Sequence, residues 1–329
     1  MHVPLWVWLA TVAGFTALFV FDFFSHVRKP HEPSFKESAA WTCVYIALAM
    51  VFGVGLWLVW GPQRGAEYFA GFITEKSLSV DNLFVFVIIM SKFAVPRIHQ
   101  QKALLIGIVI ALIMRGVFIA VGAAAIHQFS WVFYIFGAFL LWTAYKLAKE
   151  SFEDHDAEEE YRPNLAVRLA QRWLPVTNEY HGKKLLAKVD GKRVVTPLFM
   201  VIVALGFTDL LFALDSIPAI YGLTREPYIV FTANAFALLG LLQLYFLLGG
   251  LLSRLVYLGL GLSVILGFIG VKLVLEALHE NTLPFINGGH PIESIPEIPI
   301  WLSMTIIVGA LVVTSVASWI KDRRDRARA

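Results

Sequence analysis

The sequence predicts an all-α polytopic membrane protein, and three observations carry that reading. Of its 329 residues, 58% are hydrophobic and only 16% charged, and the mean hydropathy is +0.70. That is far more apolar than an ordinary soluble domain. Apolar runs of about twenty residues, enough to cross a ~30 Å hydrocarbon core, begin near Leu5, Ala39, Tyr68, Ala103, Trp131, Leu198, Tyr228, Leu255 and Ile300. Basic residues cluster in alternate connections between these runs, as the positive-inside rule requires.

The first run, "LWVWLATVAGFTALFVFDFF", has no basic leader or small-residue cleavage site and reads as a retained helix. Arg28 and Lys29 follow it, which places the N-terminus outside. Lys36, then Lys92, Arg97 and Lys102, then Lys183, Lys184, Lys188, Lys192 and Arg193, then Arg254, and finally Lys321 to Arg328 mark the cytoplasmic side. The opposite connections hold only Arg64 and Arg225. The expectation is a single transporter domain over 1–329 in the cell membrane, with nine spans, an outer N-terminus and a basic cytoplasmic tail at 321–329. A cytoplasmic connection at about 150–196 opens with the acidic run "EDHDAEEEY" around His155, which reads as solvated surface. The loop from His279 to Pro299 is rich in turn residues and reads as a cap, with His279 and His290 as loop residues rather than ligands.

Net charge of +3 distributed by topology gives no footprint for nucleic acid, and the single Cys43 excludes an internal disulfide or a thiolate cluster. No nucleotide loop or hydrolase triad is present, so an enzyme is not expected, nor is a permanently bound cofactor.

Polarity inside the spans is the informative feature. "TEKSLSVDN", Thr74 to Asn82, matches "TDLLFALDS", Thr208 to Ser216, and both stretches fall within spans. The third and sixth spans run in opposite directions, so the pair suggests an inverted-topology repeat, spans two to four against five to seven. Thr74 with Asp81 and Glu75 with Asn82 are each seven residues apart, two helical turns. Each motif is therefore one polar wedge with two levels roughly 10 Å apart. An antiparallel arrangement sets Glu75 level with Asp215 and Asp81 level with Asp209. Pro218 frees the carbonyl of Leu214 and is expected to kink or unwind the helix there.

A carboxylate at mid-bilayer costs about 2.5–3.5 kcal/mol even on the lenient insertion scale. Glu75, Asp81, Asp209 and Asp215 must therefore be protonated, paired or filled by a cation. The oxygens of these four, with Thr74, Asn82, Thr208, Ser216 and Asn234 as accessory donors, suit Mn²⁺, Mg²⁺ or Ca²⁺ rather than a soft metal. Lys76, Arg115 and Lys272 are the intramembrane bases available for charge balance or gating. If those bases capture the acids, the wedges read instead as helix adhesive in a non-transporting scaffold or stress-resistance subunit. A carrier of a small organic solute needs more basic groups than this core offers. Asp22 near the end of the first run either guides ions or caps a helix end, and Asn234 either ligates or bonds between helices.

At these residues the chain resembles the TerC family of membrane proteins, which includes the Alx-like manganese exporters. The strings "EKSLSVDNLFVF", "MRGVFI", "TDLLFALDSIPAI", "FTANAFALLGL" and "FIGVKLVL" carry the resemblance. It implies a nine-helix architecture that exports Mn²⁺ and related divalent ions from the cytoplasm, with tellurium resistance as the family's namesake. Exchange with protons is expected from the acids themselves, whose mutual repulsion recruits protons when the cation leaves. The family's acidic pairs fall on Glu75 with Asp81 and on Asp209 with Asp215. Two positions depart from the family pattern: Leu242 stands where an Arg is usual, and Gly206 where many relatives have an acid. On this reading Leu242→Arg should restore or alter efflux. The sequence leaves the oligomeric state open.

Overall fold

The computed structural model describes the whole chain except residues 2, 25–32, 130, 153–164, 178–179, 181, 183, 190–191, 249–256, 282, 285, 293, 297 and 329. His155 and its acidic run, Arg28, Lys29, Lys183 and Arg254 lie outside the described residues.

The described chain is almost entirely helical: α1 (Leu5–Asp22), α2 (Phe35–Trp60), α3 (Pro62–Lys92), α4 (Arg97–Gln128), α5 (Val132–Phe152), α6 (Leu165–Trp173), α7 (Pro197–Tyr221), α8 (Pro227–Leu238), α9 (Leu241–Leu248), α10 (Leu258–His279) and α11 (Ile300–Arg328). Among the described residues, seven stretches are both long and apolar enough to cross a membrane, with α8 and α9 counted together as Pro227–Leu247. α3 and α5 have the length, 31 and 21 residues, but a more polar composition. Proline starts α3, α7 and α8, where its missing N–H costs nothing. Ser34 caps α2 by accepting the N–H of Glu37 at 3.2 Å.

The connection before α7 is not featureless. It holds the amphipathic α6 and a two-stranded antiparallel sheet of β1 (Leu186–Val189) and β2 (Lys192–Val195), with Leu186 opposite Val195. Val167 of α6 and Val195 of β2 join the core beneath them, and Tyr180 Oη donates to the carbonyl of Phe93 at 2.6 Å. At the far turn, His279 Nδ1 lies 3.2 Å from the carbonyl of Ile295.

Close helix contacts use glycine. α5 and α10 approach so nearly that a Cβ on Gly137 would sit 3.0 Å from the Gly270 carbonyl, and one on Gly270 3.1 Å from that of Gly137. Small residues allow such packing where lipid removes the hydrophobic driving force between helices. Likewise, a Cβ on Gly206 would lie 3.3 Å from Ile110 Cγ2. That contact between α7 and α4 gives Gly206 a packing role.

The expected unwinding at Pro218 is not found, because α7 continues through it to Tyr221. Pro218 lies within the last turn, so it removes a hydrogen bond only where the helix is about to stop. The discontinuity falls between α8 and α9 instead. Leu239 is extended (ψ 131°) and Gly240 has φ +77°, a conformation that glycine adopts without steric cost.

Candidate functional site

Arg115, on α4, is fully buried and is the hub of the bundle's charged centre. Its Nε donates to Asp209 Oδ2 at 2.8 Å and its Nη2 to Asp209 Oδ1 at 3.1 Å, a bidentate grip on α7. Its Nη1 donates to Glu75 Oε1 of α3. The same nitrogen lies 3.3 Å from Asn234 Oδ1 on α8 and 3.4 Å from Ser216 Oγ on α7. One guanidinium thus ties four helices together through two carboxylates, an amide and a hydroxyl.

The arrangement leaves a deficit. Two carboxylates share one guanidinium, and Glu75 Oε2 and Asn234 Nδ2 are buried without a partner among the described residues. Buried charge survives only when paired and hydrogen-bonded, so this centre is held by Arg115 while keeping unused polar capacity.

The remaining sequence candidates are spread around that hub. Arg115 joins Glu75 to Ser216, one residue beyond Asp215, and equally to Asp209, so Glu75 shares its partner with the acid expected level with Asp81. Asp215 is half-buried and turns toward α5, where Thr143 Oγ1 donates to its Oδ1 at 3.0 Å. Asp81 is also half-buried, whereas Thr74, Asn82 and Thr208 are buried. Among the described residues, no three His, Cys, Asp or Glu side chains are grouped to hold a metal ion.

The other bases behave differently from Arg115. Lys76 Nζ donates to the carbonyls of Ala237 at 3.0 Å and Leu239 at 3.4 Å, capping the end of α8. Lys272 Nζ donates to Ser303 Oγ at 3.5 Å and faces the carboxylates of Glu276 and Glu67. It lines a cavity of about 340 Å³ with Arg64, Glu67, Thr224, Arg225 and Glu276. There Glu67 accepts from Arg64 Nη1 at 2.9 Å and from Thr224 Oγ1 at 2.6 Å. Arg225 bridges Glu276 at 2.7 Å and Glu280 at 2.8 Å. Asp22 is buried and accepts from Tyr45 Oη, joining α1 to α2.

Thr143 and Glu67 were not identified from sequence. A lone threonine has no spacing signal, and Glu67 directly precedes an apolar run, where a charge is unremarkable.

The profile of the Integral membrane protein TerC family matches residues 60–326. An uncharacterized membrane protein of Mycobacterium tuberculosis is 48% identical over 314 residues, covering 95% of this chain and 79% of that protein. The chloroplast thylakoid membrane protein TERC of Arabidopsis thaliana is 40% identical over 245 residues, 74% of this chain and 63% of its own. An Escherichia coli protein, Alx, described as a candidate membrane-bound redox modulator, is 35% identical over 311 residues, covering 92% of this chain and 90% of that protein. No solved structure matches.

Proposed function

Because this chain belongs to the integral membrane protein TerC family, we propose that it exports divalent metal cations, Mn²⁺ foremost, from the cytoplasm in exchange for protons. In this reading α1 to α5, α7, the broken α8–α9, α10 and α11 are nine spans of the cell membrane. α2 to α4 and the group α5, α7 and α8–α9 form the inverted halves, with the N-terminus outside and the C-terminus cytoplasmic.

The observation that carries the reading is the clasp of Glu75 and Asp209 around Arg115. A guanidinium in that position supplies the positive charge that a bound cation would otherwise supply. Moving it aside offers the oxygens of Glu75, Asp209, Ser216 and Asn234 to a hard divalent ion. After the ion leaves, two repelling carboxylates are neutralised again by Arg115 or by protons. Asp81 and Asp215, half-buried on either flank, pass the ion to and from this centre. No covalent chemistry is required of the chain, and no permanently bound cofactor enters.

Total cellular manganese tests the proposal. Cells expressing the wild-type chain should hold less manganese than cells expressing Glu75→Gln or Asp215→Asn. Equal contents in all three would refute efflux through this centre.

A second reading, a non-transporting scaffold, draws on the same clasp, since capture of two acids by one Arg is also how a polar network locks helices. Purified protein in liposomes separates the two. Mn²⁺ flux supports the transporter, whereas a sealed vesicle favours the scaffold.

A further inference from the structure

Beside the central site, one seam holds buried polar atoms that find no partner among the described residues. Ser38 Oγ and Thr42 Oγ1 on α2, Ser79 Oγ and Glu75 Oε2 on α3, and both amide atoms of Gln243 on α9 are all of this kind. Ser38, Ser79 and Gln243 are 0% exposed and Thr42 7%. A buried hydroxyl or amide left unmatched costs free energy comparable to a lost hydrogen bond, so each calls for a partner.

Packing contacts between the helices set these residues in register. α2 runs antiparallel to α3, since Gly53 packs on the Phe69 ring and Tyr68 Oη donates to the Ala49 carbonyl at 3.1 Å. α3 runs alongside α8 in the same direction, with Gly71 against Ala233 and Lys76 against Ala237. Gly240 then meets the ring of Tyr45 on α2. Continuing one turn in each helix brings Thr42, Ser79 and Gln243 to one level, with Ser38 a turn beyond. At 1.5 Å per residue, the series runs about 13 Å from Glu75 toward the Lys92 end of α3.

Gln243 selects the ligand. Its Nε2 can only donate and its Oε1 can only accept, while each hydroxyl does both. A bare cation would satisfy only the acceptors and an anion only the donors. Water satisfies all of them, and a buried water makes two to four such bonds.

We propose that a file of bound water occupies the α2–α3–α9 seam from Glu75 to Ser38 and forms the aqueous approach to the central site from the Lys92 end. The water file stands on the orphaned atoms alone, whereas its use as an approach rests on the transporter reading.

Two measurements test the two parts. A density map of the wild-type protein in lipid nanodiscs, fine enough to resolve water, should show ordered density bridging Thr42, Ser79 and Gln243. A map in which those groups bond one another or the backbone, with nothing between, overturns the file. In liposomes, the near-isosteric pair Thr42→Val with Gln243→Met removes at least two bridged bonds and should slow Mn²⁺ entry from the Lys92 face by about tenfold or more. Ser79→Ala supplies a milder variant, and thermal midpoints report whether each protein is folded. If the wild type carries no Mn²⁺, the transporter reading and the approach fall together while the map still decides the water. If the wild type carries Mn²⁺ and folded variants match it, the approach alone is overturned.

Discussion

Lys76 Nζ stands 3.0 Å from the carbonyl oxygen of Ala237, so a side chain on α3 closes the end of α8. A helix end inside a bilayer has no water to satisfy its last carbonyls, and they carry the negative pole of the helix dipole. A half-buried ammonium answers both needs. The break at Leu239–Gly240 is therefore stabilised from a neighbouring helix rather than by its own sequence.

Lys76→Met should consequently destabilise the protein. Hydrogen bonds to a charged donor contribute about 1.5–3 kcal/mol, so the thermal midpoint in detergent, read by intrinsic fluorescence, should fall by several degrees. Lys76→Arg, which keeps the charge, should recover part of the loss. An unchanged midpoint for the Met variant would show that the capping bonds contribute nothing.

Arg115 presents a sharper case because removing it strands two carboxylates. Breaking a buried ion pair from one side costs about 3–5 kcal/mol, so Arg115→Met should fold poorly or not at all. Neutralising the acids as well, with Glu75→Gln and Asp209→Asn, should restore folded yield because no unpaired charge remains. Size-exclusion profiles of the single and triple variants make the comparison. A triple variant no better folded than the single one would mean that the clasp is not what Arg115 supplies.

These contrasts show what the sequence could and could not disclose. Span-length apolar runs and basic connections made the helical membrane fold legible, because hydropathy is a local property. The repeated "TEKSLSVDN" and "TDLLFALDS" located the charged centre, since acids in apolar helices are costly enough to stand out. Spacing along one helix could not say which neighbour each side chain would meet. Glu75 and Asp209 share Arg115, while Asp215, beside Ser216 but about 100° around the helix, turns to Thr143. The helix break was sought at Pro218 and occurs at Gly240, because a proline in a last turn disrupts little and a glycine carries no signature of its φ until the chain is folded.

Leu242 is another position where packing revises expectation. Its side chain is 2% exposed and belongs to an apolar cluster with Leu198, Leu238 and Leu241. An Arg in that cluster needs an acid or an aqueous outlet, and a charge at membrane depth costs about 2.5–3.5 kcal/mol without one. Leu242→Arg should therefore lower folded yield before any effect on efflux can be read. A fully folded variant with altered manganese content would instead support the sequence-based expectation that a base belongs there.

Asp215 offers the cleanest separation of stability from activity. It is half-buried, and its described hydrogen bond comes from a neutral hydroxyl, Thr143 Oγ1, at 3.0 Å. Asp215→Asn keeps the size and an acceptor oxygen, so the thermal midpoint should stay within a change of about 1 kcal/mol, the value of one ordinary hydrogen bond. Thr143→Val should cost a similar amount by removing the donor while leaving the carboxylate in place. Transport should divide the pair, because an ion passing along the flank of α7 needs the negative charge that Asn lacks and the Val variant retains. The expected result is two folded proteins of near-equal stability, with manganese efflux lost in Asp215→Asn and largely kept in Thr143→Val. Efflux lost equally from both would show that the orientation of Asp215, and not only its charge, serves the ion. Efflux intact in both would remove Asp215 from the path.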